Sequence, residues 1–263
     1  MIMTKKTTVL AAIFGVISFS GIIAAEKKAA EPIYRGTDYE CKIYDRYRKD
    51  SGIMKLTSGD KTLIVNNRID AVCKGADGKK IALSEKASPK YKWENNILRN
   101  EKILISRNKQ ETAADGFAKI NRKIIFSPNR ISIEITVKNL KDITFAQDWN
   151  IYRETLSIVT ASVNGMRISG ILLDNQPIES VIPRKFDSKK WGFKKFVKNM
   201  KLTDSEQFGM TVTAFPNCRL LFNNYGGKAC ELSIQPIIRP TELQQKAGQE
   251  TKFGCTLEFG QPE

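Results

Sequence analysis

The chain has no histidine among its 263 residues. That absence removes Ser-His-Asp and Cys-His nucleophile systems, histidine-bound metals and histidine acid–base work. There is no C-x-x-C pair either, so a zinc site has no ligand set. Neither phosphate-cradling glycine pattern occurs, G-x-x-x-x-G-K before Ser or Thr, or G-x-G-x-x-G. Catalysis would have to rest on Asp, Glu, Tyr, Lys or Arg, and no cofactor or metal is expected. The chain also lacks internal repeats, low-complexity segments and any Gly/Ser/Pro-rich linker after residue 38.

What is present starts with the first 25 residues. Lys5 and Lys6 precede an uncharged, mostly apolar run over 7–25, which ends in Ala24-Ala25 before Glu26. That order predicts a secretory signal peptide cleaved after Ala25. At 19 residues the run is close to the ~20 that span a bilayer, so a retained anchor is the rival reading. No cysteine follows the run directly, which argues against a lipid anchor. The expected location is outside the cytoplasm: periplasm, cell surface or extracellular space. The expected organisation is a signal peptide over 1–25, an extended lead-in over 26–38 and one domain over 39–263.

Lys and Arg outnumber Asp and Glu by 43 to 28. An exported protein with this charge is drawn to polyanions such as acidic polysaccharide. Nucleic acid is a poorer match for that compartment. The five cysteines, Cys41, Cys73, Cys218, Cys230 and Cys255, leave one thiol over if bridges form within the chain. Cys218 and Cys230 flank a strand–Gly-Gly–strand pattern and are the candidate disulfide. The alternative is buried cysteines acting as small hydrophobes.

Almost everything after residue 38 has a period of two. Ile131, Ile133, Ile135 and Val137 fall on one face, with Ser132, Glu134 and Thr136 on the other. This is a half-buried strand, and Ser127-Pro128-Asn129-Arg130 turns it back from a strand over 118–126. Asn164-Gly165 between 155–163 and 166–173 predicts a hairpin through a type I′ turn. Further strands are expected over 39–48, 53–57, 61–66, 69–74, 79–83, 101–106, 208–215, 218–223, 229–238 and 252–259. Many short strands at this spacing predict an all-β fold, a large antiparallel β-sandwich.

One segment departs from this pattern. Phe193, Phe196, Val197 and Met200 follow helical spacing within 188–201, with lysines at 190, 194, 195, 198 and 201. This predicts one short basic amphipathic helix. Residues 183–201 carry eight Lys/Arg and one Asp, interleaved with Phe186, Trp191, Phe193 and Phe196. Three readings compete: lysines solvated above a packed aromatic face, a polyanion site with Trp191 stacking on a sugar, and a membrane-surface helix. Paired carboxylates are the remaining catalytic option. The candidates are Asp148, Glu154 and Asp174, with Trp149 beside Asp148 as a sugar-stacking surface; the plain alternative is a loop capped by Trp149.

Residues 118–142, AKINRKIIFSPNRISIEITVKNLKD, resemble the paired strands ending in V-x-N-x-x-D of galactose-mutarotase-like supersandwich domains. The closing stretch 247–259, AGQETKFGCTLEF, resembles their last strand with its short G-(E/Q) lead. Such domains are common in secreted carbohydrate-active proteins. The resemblance implies a two-sheet β-supersandwich with a concave, sugar-sized face. Mutarotases of this fold use a His acid with a Glu base, so no catalytic residue carries over to a chain without histidine.

The sequence therefore leads to an exported, non-catalytic β-sandwich that binds carbohydrate, with an anionic glycan as the ligand. Lys190, Trp191, Lys194 and Lys195 are the first candidate ligand-binding residues, followed by Trp149. The alternatives are a glycosidase or polysaccharide lyase built on carboxylates, Tyr, Lys or Arg, and an envelope scaffold or adhesion module.

Overall fold

The computed structural model describes residues 33–48, 52–85, 91–107, 116–148, 151–183, 193, 195–204, 208–223 and 229–260. They all fall in one compact unit, Glu31–Glu263. The expected signal peptide over 1–25 lies outside the described residues, as do Trp149, Lys190, Trp191 and Lys194.

In chain order the elements are β1 (Ile33–Arg35), β2 (Glu40–Arg48), β3 (Gly52–Ser58), β4 (Lys61–Lys74), β5 (Lys80–Glu85), β6 (Tyr91–Glu94), β7 (Ile97–Ser106), β8 (Ala118–Ser127), β9 (Arg130–Asn139) and β10 (Ile143–Thr144). There follow β11 (Arg153–Val159), α1 (Thr160–Val163), β12 (Arg167–Leu172), β13 (Pro177–Val181), β14 (Phe196–Thr203), β15 (Gly209–Ala214), β16 (Cys218–Asn223), β17 (Ala229–Pro236), β18 (Gln244–Gln245) and β19 (Glu250–Gly260).

Every ladder is antiparallel, and the ladders trace two layers. One runs β6–β7–β8–β9–β19–β15–β14–β12–β13. The other runs β1–β2–β3–β4–β11–β17–β16. They are called the β9 layer and the β11 layer below. Strand β5 pairs with both β4 and β7 and so joins them, as does the start of β14 against β16. The all-β sandwich expected from the sequence is the fold. Its centre is a single cluster of buried side chains, with Ile120, Ile124 and Ile133 from the β9 layer and Leu156, Ile158 and Leu232 from the β11 layer. Residues 33–35 of the expected lead-in are a strand paired with β2.

The apolar interior contains one charged cluster. Arg122 on β8 reaches across to Glu154 Oε2 on β11, 2.7 Å away, and also pairs with Glu85 on β5. Asn67 donates to Glu154 at 3.1 Å, Arg122 donates to Asn100 at 3.3 Å, and the Ile69 amide donates to Glu85 at 2.6 Å. Lys102 lies 3.3 Å from Glu85. Burial works against the Arg122 charge, but Glu154 and Glu85 outweigh it and hold the guanidinium protonated. Burial also pushes Glu85 up, yet Arg122 and Lys102 keep its carboxyl below the usual glutamate range. At Glu154 burial dominates over Arg122, and with the charge of Glu85 it lifts the carboxyl above that range.

The two stretches that resemble the supersandwich family clasp each other. The Asn139 side chain accepts from the Tyr152 hydroxyl at 2.6 Å and donates to Gln245 and to the Lys246 carbonyl, each at 3.2 Å. Asp142 accepts from the Ala247 amide at 2.9 Å and Lys246 Nζ at 2.8 Å. The V-x-N-x-x-D pattern thus ties the end of β9 to the turn that feeds β19.

Four expectations are corrected. The basic helix over 188–201 does not hold for its last six residues, which belong to β14. Val197 and Met200 are both buried because a β-bulge at Lys198 shifts the alternation: Leu172 opposes Val197 while Ile171 opposes Asn199. A bulge inserts one residue and so turns a spacing of two into three, which mimics a helix. The only α-helix among the described residues is the single turn α1.

The Asn164-Gly165 step is not a hairpin turn. Asn164 has φ −59° and ψ 127°, Gly165 has φ 86°, and the Met166 amide donates to the Val163 carbonyl at 3.1 Å. That is a type II turn. It follows α1 and leads from the β11 layer to the β9 layer, since β11 pairs with β4 and β17 and β12 pairs with β13 and β14.

The Cys218–Cys230 bridge is absent. Cys218 faces Pro236, six residues along β17 from Cys230. At ~3.3 Å per residue the two are about 20 Å apart, far beyond the ~7 Å that a disulfide tolerates. All five cysteines are buried free thiols. Finally, 61–66 and 69–74 form one continuous strand, β4, with the polar Asn66-Asn67-Arg68 inside it.

The network sets two expectations for stability. Arg122→Ala strands two buried carboxylates and should cost ~3–5 kcal/mol in urea unfolding. Lys123→Ala, next along β8 but in a partly exposed pair with Glu134, should cost under ~1 kcal/mol. Because Glu85 is held below its ordinary 4.5, its contribution is full above that pH and fades as the pH falls through the lowered value. The stability gap between wild type and Glu85→Gln should therefore be widest at neutral pH and close on acidification.

Candidate functional site

Strand alternation gives the β11 layer two unlike faces. On β11, Glu154, Leu156 and Ile158 point inward with Leu232 and Ile234 of β17. The outward positions are Arg153, Thr155 and Ser157 on β11 and Asn66, Arg68 and Asp70 on β4. Glu231, Ser233 and Gln235 continue the face on β17, and Arg219 and Asn223 on β16. An outward face of a sandwich is normally solvated. Here Thr155 is 0%, Gln235 1%, Ser233 2% and Asp70 3% exposed.

Most of the charges on this face are paired. Arg153 binds Asp70 through Nε. Arg68 lies 3.4 Å from Asp70 and donates to Glu231 at 2.7 Å. Burial disfavours the Arg68 charge, but Asp70 and Glu231 outweigh it. Arg219 donates to the Asp148 carbonyl at 2.9 Å and contacts its carboxylate and Gln235 at 3.4 Å. Its guanidinium also lies 3.8 Å above the Phe196 ring. At Arg219 burial wins over Asp148 and lowers the group from its ordinary range.

Three buried polar atoms on the face have no partner: Thr155 Oγ1, Asn66 Oδ1 and Arg219 Nε. Buried polar groups are almost always satisfied, and each orphan costs ~1–3 kcal/mol. One acceptor, one hydroxyl and one charged donor thus lie unpaired along a diagonal across β4, β11, β17 and β16. Each carboxylate described on the face is held by an arginine.

The carboxylates proposed for catalysis do not converge. Glu154 points into the interior cluster, Asp148 binds Arg219, and Asp174 accepts from the Gln176 amide in the β12–β13 turn. Of the ligand-binding candidates Lys195 is described and is exposed. Two candidates have sequence neighbours at this site: Asp148 precedes Trp149 and Phe196 follows Lys195, and both contact Arg219. The sequence reading missed Arg68, Asp70, Arg153, Thr155, Ser233 and Gln235. Their signal was a polar residue at every second position of β4, β11 and β17, which reads equally as a solvated face.

Removing an unsatisfied buried hydroxyl without changing shape should help the free protein. Thr155→Val is expected to raise unfolding stability by about 1 kcal/mol. A loss of stability would mean that this hydroxyl has a partner in solution.

No family model matches the chain, and no curated protein matches it significantly. Solved structures do match in fold. A galactose mutarotase-like protein from Lactobacillus casei superposes with TM-score 0.52 at 9% identity, covering 87% of this chain and 99% of that one. A galactose mutarotase related enzyme from Lactobacillus acidophilus gives TM-score 0.50 at 11% identity, over 87% and 97%. A galactose mutarotase-like protein from Clostridium acetobutylicum gives 0.50 at 10%, over 88% and 95%. The fold of this chain is thus that of galactose mutarotase-like proteins, as its strands over 118–142 and 247–259 led us to expect.

Proposed function

We propose that this protein is an exported, non-catalytic carbohydrate-binding protein, and that the sugar lies on the outward face of β4, β11, β17 and β16. The observation that carries the reading is the set of three unpartnered polar atoms on a buried strand face. Sugar hydroxyls donate and accept, so an oligosaccharide laid diagonally across the four strands offers partners to Thr155 Oγ1, Asn66 Oδ1 and Arg219 Nε. Galactose mutarotase-like proteins share the fold, and their name points to the same ligand class.

Trp149, the sequence neighbour of Asp148, is the proposed stacking residue, because an indole suits the apolar face of a sugar. Lys195 is exposed next to Phe196, and Lys190, Trp191 and Lys194 precede it in sequence as the further proposed ligand-binding residues. The lysines favour sugars bearing carboxylate or sulfate, in keeping with the net charge of +15. The absence of histidine and the arginine-bound carboxylates support binding without turnover. The leader over 1–25 supports export.

Calorimetry of the protein with neutral, uronate and sulfated oligosaccharides, at low and physiological salt, tests this. Saturable binding without turnover is expected. Thr155→Val should weaken it about tenfold while stabilising the fold, since one lost hydrogen bond is worth ~1.4 kcal/mol. Trp149→Ala should weaken it as much or more. Binding that ignores both substitutions, or that vanishes for every ligand at physiological salt, would contradict the reading.

A further inference from the structure

A second polar surface lies on the other layer. Lys92 on β6 stands directly opposite Arg99 on β7, and Arg99 directly opposite Lys123 on β8. Three cations thus stand side by side across three strands. Like charges directly opposite destabilise a sheet. Among the described residues only Lys123 has a carboxylate partner, Glu134 at 3.0 Å on β9. The nearby Glu101 is taken by Lys119 at 2.8 Å. The row lines a pocket of about 670 Å³, within the range of small-molecule sites. Asn121 and Thr136, paired across β8 and β9 in the next row, add neutral hydrogen-bonding groups to the same pocket.

We propose that this pocket is an anion site, in which Arg99 and Lys92 bind the sulfate or carboxylate of a glycan chain. Arg99 offers a planar fork of donors suited to an oxyanion, and Lys92 adds a point charge beside it. Asn121 and Thr136 reach the hydroxyls next to the charged group. The bound anion relieves the repulsion along the row. The site is on the outward face of the β9 layer and shares no residue with the face of the β11 layer, so each can be tested alone.

The test compares wild type, Lys92→Ser/Arg99→Ser, Thr155→Val and Lys74→Ser/Lys80→Ser. The last pair also stands directly opposite, on β4 and β5, and removes the same charge from another place. The probes are a heparin-derived hexasaccharide, inorganic sulfate and neutral maltohexaose. Lys92→Ser/Arg99→Ser should lose about tenfold or more in affinity for the sulfated hexasaccharide and unfold at a higher urea concentration than wild type. Lys74→Ser/Lys80→Ser should keep at least half of the wild-type affinity for it, and Thr155→Val should weaken binding of neutral sugars. Inorganic sulfate should compete only weakly, and maltohexaose should not compete at this site. The proposal is overturned if the two double variants lose equally, if Lys92→Ser/Arg99→Ser loses nothing, or if inorganic sulfate binds as tightly as the hexasaccharide. Failure of Thr155→Val to affect neutral sugars would count against the other face alone.

Discussion

The contact on which the rest depends is Arg122 between Glu85 and Glu154. It is the point where the two layers and the strand that joins them share one charged group. Neighbouring residues on a strand face opposite ways, so anchoring Glu154 inward sets Arg153 and Thr155 outward. Asn67 does the same for β4, since its bond to Glu154 turns Asn66 and Arg68 to the other side. A slip of one residue between β4 and β11 would bury the wrong set on both faces. The interior cluster therefore fixes the register of the polar face as well as the contact between layers. Such a cluster is a weak source of net stability but a strong penalty on any other pairing.

The outward face of the β11 layer and the outward face of the β9 layer solve different problems. The first keeps its arginines paired and leaves single polar atoms open, which suits a neutral, hydroxyl-rich surface. The second leaves Lys92 and Arg99 without a carboxylate among the described residues, which suits a charged group. Under the proposed function, the first face would hold a glycan by hydrogen bonds and the second by charge. The overall excess of Lys and Arg adds long-range attraction that draws such a chain in.

Much of the fold was legible because its strands alternate strictly. The β8–β9 hairpin follows from Ile131 to Val137 and the Pro128-Asn129 turn, and its ten-residue register is observed in full. The errors have local physical causes. A bulge at Lys198 gave β14 the spacing of a helix. Asn164-Gly165 supports a type II turn as readily as a hairpin, and α1 before it decides between them. Asn66-Asn67-Arg68 looked like a break because these residues serve two polar clusters on opposite faces of one strand.

The site was less legible for a different reason. Asp70 and Arg153 meet across 83 residues of sequence, and Arg68 and Glu231 across 163. No spacing rule links residues that far apart; only the β4–β11–β17 ladder does. Trp149 stood out in the sequence as an aromatic beside an acid, while Thr155 is marked only by burial and an unpaired hydroxyl, which no sequence displays.

The claim that the interior cluster positions the outward face is tested most directly by native-state amide hydrogen exchange on Arg122→Met. The account predicts that protection falls together in β8, in β11 from Arg153 to Ser157, and in β4 from Asn66 to Asp70, while β12 and β13 keep wild-type protection. Protection lost in β8 alone, with β4 and β11 unchanged, would contradict it.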